Sequence, residues 1–409
     1  MQLQVRVLDG HGAELAVLRS AAVPLAPGQV GELAMAGAVP GVQPWFPGSP
    51  VLYTVHLSLL SAEGGPLDAL TRRVGFRRVE VRDARLLLNG EPLFLMGFNR
   101  HEDSPRTGMA TDLVQVREDL TEIKKLGGNF VRLPHYPHHS GELDLCDELG
   151  LLVLAENAMN EWGHLDHPDP NGGFALTPED APLVLANARR TLRKMVERDN
   201  HHPSVILWSI GNENAEERAD VAAGNAELLQ YGRTLDRSRP WTHVSNCYQK
   251  EGWESFYRFD DVIAVNVYPS HHLSLARADL EAGLPEATQM MERILAALHR
   301  QFPTKPIVVG EFGYPGGESG PEGAQLQGIA SAAEFRGLSA AYVAGGAFWV
   351  YARHPWADGA IYAGGQKNVT SPYGYVSRDR TTRFPALSVV ERLFQEKAAP
   401  TQPPAGQTP

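Results

Sequence analysis

The hydrophobic rhythm of the chain changes once, near residue 84. Before that point Leu3, Val5 and Val7 alternate with Gln4 and Arg6 up to a turn at Asp9-Gly10, and Tyr53, Val55, Leu57 and Leu59 alternate with Thr54, His56 and Ser58. Period-two alternation marks strands with one wet face. A third run, Arg78-Val79-Glu80-Val81-Arg82, and Pro- and Gly-rich connections such as Trp45-Phe46-Pro47-Gly48 complete the expectation of a small antiparallel β-sandwich over residues 1–83.

From there the pattern is different. Asn89-Gly90, set between Leu86 to Leu88 and Pro92 to Met96, predicts a hairpin whose second arm runs on to Phe98. Short apolar runs then alternate with helical periodicity. Strands are expected over 129–133, 151–154, 205–210, 241–245, 261–267, 306–310 and 345–351, and helices over 111–126, 141–149, 178–199, 216–237, 286–301, 323–343 and 386–396. The first helix shows the logic: Leu113, Val116, Leu120 and Ile123 recur at three-and-four spacing, and Gly127-Gly128 offers a left-handed cap. With the strand ending near Phe98 there are eight strands, and their alternation with helices is the pattern of an α/β fold, the (β/α)8 TIM barrel, over residues 84–397. The tail 398–409, AAPTQPPAGQTP, has nothing to bury and is expected to be disordered.

Composition narrows the partners. A chain of 409 residues, 43% hydrophobic, can bury a large core, while a net charge of -11 without a basic run argues against nucleic acid or an anionic membrane. No run of eighteen apolar residues and no signal-peptide pattern is present at the N-terminus, so the expected location is the cytoplasm. Two cysteines, Cys146 and Cys247, make neither a disulfide framework nor a metal knuckle. The cluster His135, His138, His139 lacks helical spacing, the Gly-Gly pairs fit no nucleotide loop, and no metal or cofactor is expected. A homo-oligomer stays open.

Residues just past barrel strands converge on one rim, the C-terminal one that carries chemistry. In His201 to Asn214, HHPSVILWSIGNEN, an apolar strand ends in Asn212-Glu213, and a second apolar strand ends in Glu311. Neither glutamate has a lysine or arginine within four residues. Two carboxylates across a barrel mouth are what glycoside hydrolysis needs: one protonated to donate to the leaving oxygen, one ionised to attack the anomeric carbon. Arg132 and Tyr268 are candidates to hold Glu311, Asn212 to bind a sugar hydroxyl, and Trp349 to face a pyranose ring. His101, Asp103 and His135 are further substrate contacts, with the histidines as neutral donors, whereas His138, His139, His271, His272 and the His201-His202 pair read as structural.

Four segments, Gly97-Phe98-Asn99-Arg100-His101-Glu102-Asp103, Arg132-Leu133-Pro134-His135-Tyr136-Pro137, His202 through Glu213, and Gly310-Glu311-Phe312-Gly313, together resemble the signatures of glycoside hydrolase family 2, the β-galactosidases and β-glucuronidases. The resemblance runs from about residue 1 to about residue 397. It implies that residues 1–83 are an immunoglobulin-like sandwich, that Glu213 is the general acid/base and Glu311 the nucleophile of a retaining double displacement, and that the substrate is a carbohydrate, a β-glycoside. By that resemblance the chain is expected to start close to the sandwich, without the jelly-roll domain usual in the family. Gln366-Lys367-Asn368 does not match the Asn-x-Lys pair that grips a glucuronate, and Glu156 to Trp162 lacks magnesium ligands in register. The expectation is a retaining exo-β-glycosidase for terminal β-linked hexose, galactose-like, with β-glucuronidase or a carbohydrate-binding barrel of little catalysis as alternatives.

Overall fold

Strands β1 (Gln2–Leu8), β2 (Glu14–Arg19), β3 (Tyr53–Leu60) and β4 (Pro66–Val74) form an antiparallel sheet in the order β2-β1-β3-β4 in the computed structural model, which describes residues 1–163, 178–246, 248, 252–273, 280–316, 320–355 and 370–398. The alternation predicted β1 and β3. It did not predict β4, which is exposed along almost its whole length and is therefore under no pressure to alternate. The run at 78–82 does not join this sheet. It is β5 (Val79–Arg82), which pairs with β6 (Arg85–Leu88), and β6 pairs in turn with β7 (Glu91–Pro92). Asn89 and Gly90 both take positive φ, 54° and 91°, the type I′ geometry that a tight hairpin favours. The hairpin's second arm is shorter than expected, because after Pro92 the chain leaves it to become the first barrel strand.

The barrel is closed and parallel. Its strands are β8 (Leu95–Asn99), β9 (Phe130–Leu133), β10 (Leu152–Glu156), β11 (Val205–Asn212), β12 (Trp241–Ser245), β13 (Ile263–Asn266), β14 (Ile307–Phe312) and β15 (Val343–Phe348). Around it run α1 (Leu113–Lys125), α2 (Ser140–Leu149), α3 (Ala181–Asp199), α4 (Ala219–Leu235), α5 (Pro269–His272), α6 (Leu280–Gln301), α7 (Gly320–Arg336) and α8 (Pro385–Ala398). One repeat departs from the strand–helix rule: β12 is followed by a 3-10 segment, Trp253–Phe259, instead of an α-helix. The helix expected over 323–343 stops at Arg336. Gly337 and Leu338 turn back onto the carbonyls of Glu334 and Phe335, and the apolar residues beyond begin β15.

Burial on both faces splits the core in two. Along β10, Leu152 and Leu154 point into the barrel, with Leu95, Phe130, Ile206 and Val308, while Val153 and Ala155 point out toward the helices. Val79, Leu86, Leu88 and Trp45 join the inner cluster and seal the bottom of the barrel. Trp45 Nε1 donates to the Asp147 carbonyl at 3.0 Å, and Arg77 donates to the carbonyls of Pro203 and Val205 at 3.1 and 2.9 Å, which binds the N-terminal segment to that end. His202 lies there too, its Nδ1 2.6 Å from Asp147, in keeping with a structural role. Higher up, the inward residues turn polar: Asn99, Arg132, Glu156, Asn212, Asn266 and Glu311, all buried. Among the described residues no helix is long and apolar enough to cross a membrane.

Candidate active site

Arg132, on β9 and fully buried, is where the polar layer is tied together. One terminal nitrogen donates to Glu311 Oε1 at 2.5 Å and to Asn99 Oδ1 at 3.0 Å; the other donates to both oxygens of Glu156 at 2.9 Å and to Asn212 Oδ1 at 2.7 Å. Burial alone would strip the charge from this guanidinium, but Glu156 and Glu311 outweigh it and raise its pKa. The Glu156 carboxyl is likewise held below its ordinary range: burial pushes it up, and Arg132 and His135 more than offset that push. Its Oε1 lies 2.9 Å from His135 Nδ1.

The second oxygen of Glu311 accepts from the Tyr268 hydroxyl at 2.6 Å. Burial first, and the Glu311 charge second, push the phenol well above its ordinary pKa, so it stays a donor. Thus each oxygen of Glu311 accepts a hydrogen bond, one from a guanidinium and one from a phenol.

Glu213 is treated differently. It follows β11 at φ 47°, a backbone region costly for a residue with a side chain, with its amide donating to the Val244 carbonyl at 2.7 Å. Its carboxyl faces Asn246 and Asn266, whose amide nitrogens donate to Oε2 and Oε1 at 2.6 Å each. Burial, reinforced by the charge on Glu311, lifts its pKa to about 8. The two carboxyls thus sit in different surroundings, Glu213 between two carboxamides and Glu311 between a guanidinium and a phenol.

A ring wall lines one side. His135 stacks on Trp349 with centroids 5.4 Å apart, His101 meets the same indole edge-on at 5.4 Å, and His354 lies 4.4 Å from His101. Burial, with the neighbouring imidazoles, drives His101 well below its ordinary pKa, and burial takes His354 to about 4. Both are therefore neutral rings at pH 7.

Of the residues read from the sequence, Arg132, His135, Asn212, Glu213, Tyr268 and Glu311 share one hydrogen-bonded layer, and Trp349 and His101 share the wall. Asp103 does not face this space as a free ligand: Arg378 clamps it in a bidentate pair at 2.7 and 2.9 Å. Asn212 is already oriented by Arg132, Asn266 and Asn160, so its carboxamide is a fixed element of the layer first. His138 is structural, between Glu142 and the Pro134 carbonyl at 3.0 Å each. Glu102, His138 and Glu142 come within reach of one cation, but Glu142 already carries Arg100 and His138. Gln366-Lys367-Asn368, Cys247 and residues 399–409 lie outside the described residues.

Sequence reasoning gave no role to Glu156, Asn246, Asn266 or His354. Asn266 carried a signal, a lone carboxamide inside the apolar run Ile263 to Val267, and Asn246, directly past Ser245, carried the same strand-end cue.

Residues 79–336 match the description "Glycosyl hydrolases family 2, TIM barrel domain", and residues 1–77 match "Glycosyl hydrolases family 2". A β-galactosidase of Psychromonas ingrahamii is 32% identical over 285 residues, 69% of this chain and 25% of that protein. A β-glucuronidase of Paenibacillus borealis is 30% identical over 318 residues, 76% of this chain and 48% of that protein. The solved structure of a Bifidobacterium dentium β-glucuronidase complexed with coumarin-3-O-glucuronide superposes with a TM-score of 0.79 at 26% identity, over 96% of this chain and 60% of that one. The chain thus spans between a quarter and a half of the length of these two curated relatives. With the barrel and the preceding segment both matched, the chain belongs to glycoside hydrolase family 2.

Proposed function

We propose that the protein is a retaining exo-β-glycosidase that releases a terminal β-linked hexose. Glu213, neutral at pH 7, protonates the glycosidic oxygen as Glu311 attacks the anomeric carbon. The aglycone leaves with that proton, and a glycosyl ester forms on Glu311. Glu213, now ionised, takes a proton from water as the water attacks the same carbon, the ester bond breaks, and the sugar departs with its configuration retained. The observation that carries this reading is the contrast between the two carboxyls: Glu213 raised to about 8 between two carboxamides, Glu311 bonded by Arg132 and Tyr268.

A neutral sugar is favoured by the state of the arginines. Arg132, Arg378 and Arg380 are each paired with protein carboxylates, and the ring wall offers neutral imidazoles. A glucuronide is the second reading, because the Paenibacillus and Bifidobacterium proteins, both named β-glucuronidases, align with most of this chain. Nitrophenyl β-galactoside, glucuronide, mannoside and glucoside separate the two by rate. Proton NMR of the product in the first minutes tests the mechanism: a β-anomer formed first supports retention, an α-anomer formed first rules it out, and no turnover of any glycoside favours a barrel that only binds sugar.

A further inference from the structure

Helix α7 buries a polar stripe. Gln327, Ser331 and Glu334 are spaced four and three residues apart, so they share one face, and all three are fully buried. A helix of a barrel would ordinarily present apolar side chains there. Each of these reaches instead for a rim segment: Gln327 Nε2 donates to the Tyr373 carbonyl at 2.7 Å, Ser331 Oγ lies 2.5 Å from the Tyr375 hydroxyl, and Glu334 Oε1 accepts from the Ser270 amide at 3.0 Å.

That last contact matters because of what precedes Ser270. Ser270 follows Tyr268 by two residues, in the short helix α5 that opens directly after Tyr268. The buried Glu334 carboxyl thus anchors the backbone of the segment whose Tyr268 hydroxyl makes the 2.6 Å bond to Glu311. We propose that Glu334 is a positioning residue that sets the Tyr268 hydroxyl on Glu311 by holding the Ser270 amide from behind. Burial lifts Glu334 to about 8, so at pH 7 it is a neutral carboxylic acid whose carbonyl oxygen accepts from an amide without placing a second negative charge near Glu311. Nothing in the proposed chemistry touches it, and an unpartnered carboxyl in a helix interior would be costly if it did no such work.

The proposal rests on Glu311 as nucleophile, and the experiment keeps the two apart. Full-length parent, Glu334→Gln, Glu334→Leu, Tyr268→Phe and the double variant Tyr268→Phe/Glu334→Leu are compared by rate of inactivation with a 2-deoxy-2-fluoro glycoside, by kcat and KM, and by urea unfolding. Glutamine keeps a neutral acceptor oxygen, so Glu334→Gln should stay within about threefold of the parent, whereas Glu334→Leu should lose at least tenfold in kcat and trapping rate with KM changed less than threefold. In the leucine background Tyr268→Phe should cost almost nothing further. Equal kcat in the parent and Glu334→Leu, or a full additional Tyr268→Phe loss in that background, overturns the proposal. If the parent itself is not trapped, the nucleophile assignment fails, and urea decides the clamp alone: the unfolding constants of the two substitutions should be non-additive by about fivefold or more, and additivity overturns it.

Discussion

The Tyr268 hydroxyl and the Glu311 carboxylate are 2.6 Å apart, with Arg132 on the opposite oxygen at 2.5 Å. In the proposed double displacement the phenol stabilises charge that is consumed when Glu311 becomes an ester and restored when it is released. Removing it should cost what a hydrogen bond to a charged group costs, about 1.5–3 kcal/mol, or roughly 10- to 150-fold in kcat/KM. Steady-state kinetics of Tyr268→Phe check this; an unchanged kcat would detach Tyr268 from the chemistry.

Arg132 carries a structural burden as well. Its guanidinium is the cation bonded to Glu156 and Glu311, both buried. Arg132→Met takes the guanidinium from two buried carboxylates, leaving Glu311 with Tyr268 and Glu156 with His135, and should destabilise the fold by about 3–5 kcal/mol in urea. The loss should shrink when Glu156→Gln is added, since one of the stranded charges is then removed. A loss under about 1 kcal/mol for Arg132→Met alone would mean that solvent reaches this layer.

The raised Glu213 carboxyl makes two pH predictions. The alkaline limb of kcat/KM should have a midpoint near 8, where the acid is lost, and Glu213→Gln should abolish that limb for substrates with activated leaving groups. Stability should move the same way. A carboxyl whose folded pKa lies above its ordinary 4.5 favours the native state fully below 4.5 and loses that contribution as pH rises through 8, and Glu334 has the same sign and range. The urea midpoint should fall between pH 6 and pH 9, and Glu213→Gln should flatten part of the fall. A parent midpoint that is level or rises over that window contradicts the burial of these two groups.

Gly310 packs its Cα against the asparagine that holds Glu213. A Cβ at this position would stand 2.7 Å from Asn266 Oδ1 and 2.9 Å from Val244 Cγ1. Gly310→Ala should push Asn266 off Glu213, lower kcat about tenfold or more, and move the alkaline limb upward, because the Asn266 hydrogen bond lowers the Glu213 pKa. Wild-type kinetics in this variant would show that Asn266 does not orient the carboxyl.

The barrel was legible because its strands are buried on both faces: runs such as Val205 to Trp208 are apolar throughout, and the strand ends at polar residues. The N-terminal sheet was half legible, since β1 and β3 alternate in sequence and are mostly half-buried, whereas β4 is exposed and reads like a loop. Strand ends named both glutamates, Arg132 and Tyr268, because a parallel barrel brings them to one rim whatever lies between them in sequence. The ion pair of Asp103 was not legible, because its partner Arg378 is 275 residues away and no local pattern announces such a pair. Glu334 was invisible for a related reason. Flanked by Ala332, Ala333 and Phe335 on a helix, it reads as a surface charge, and only the packing of α7 under two loops shows that it is buried.

The measurement that bears most directly on Glu311 and Glu213 is intact-mass and peptide mapping of the full-length protein after incubation with 2-deoxy-2-fluoro β-glycosides bearing a good leaving group, in galacto, gluco, manno and glucurono configurations. At least one should add a single sugar, found on Glu311, with labelling lost in Glu311→Ala. An adduct on Glu213 or Glu156, or no adduct with any configuration while turnover proceeds, would contradict the assignment of Glu311 as the nucleophile of a retaining enzyme.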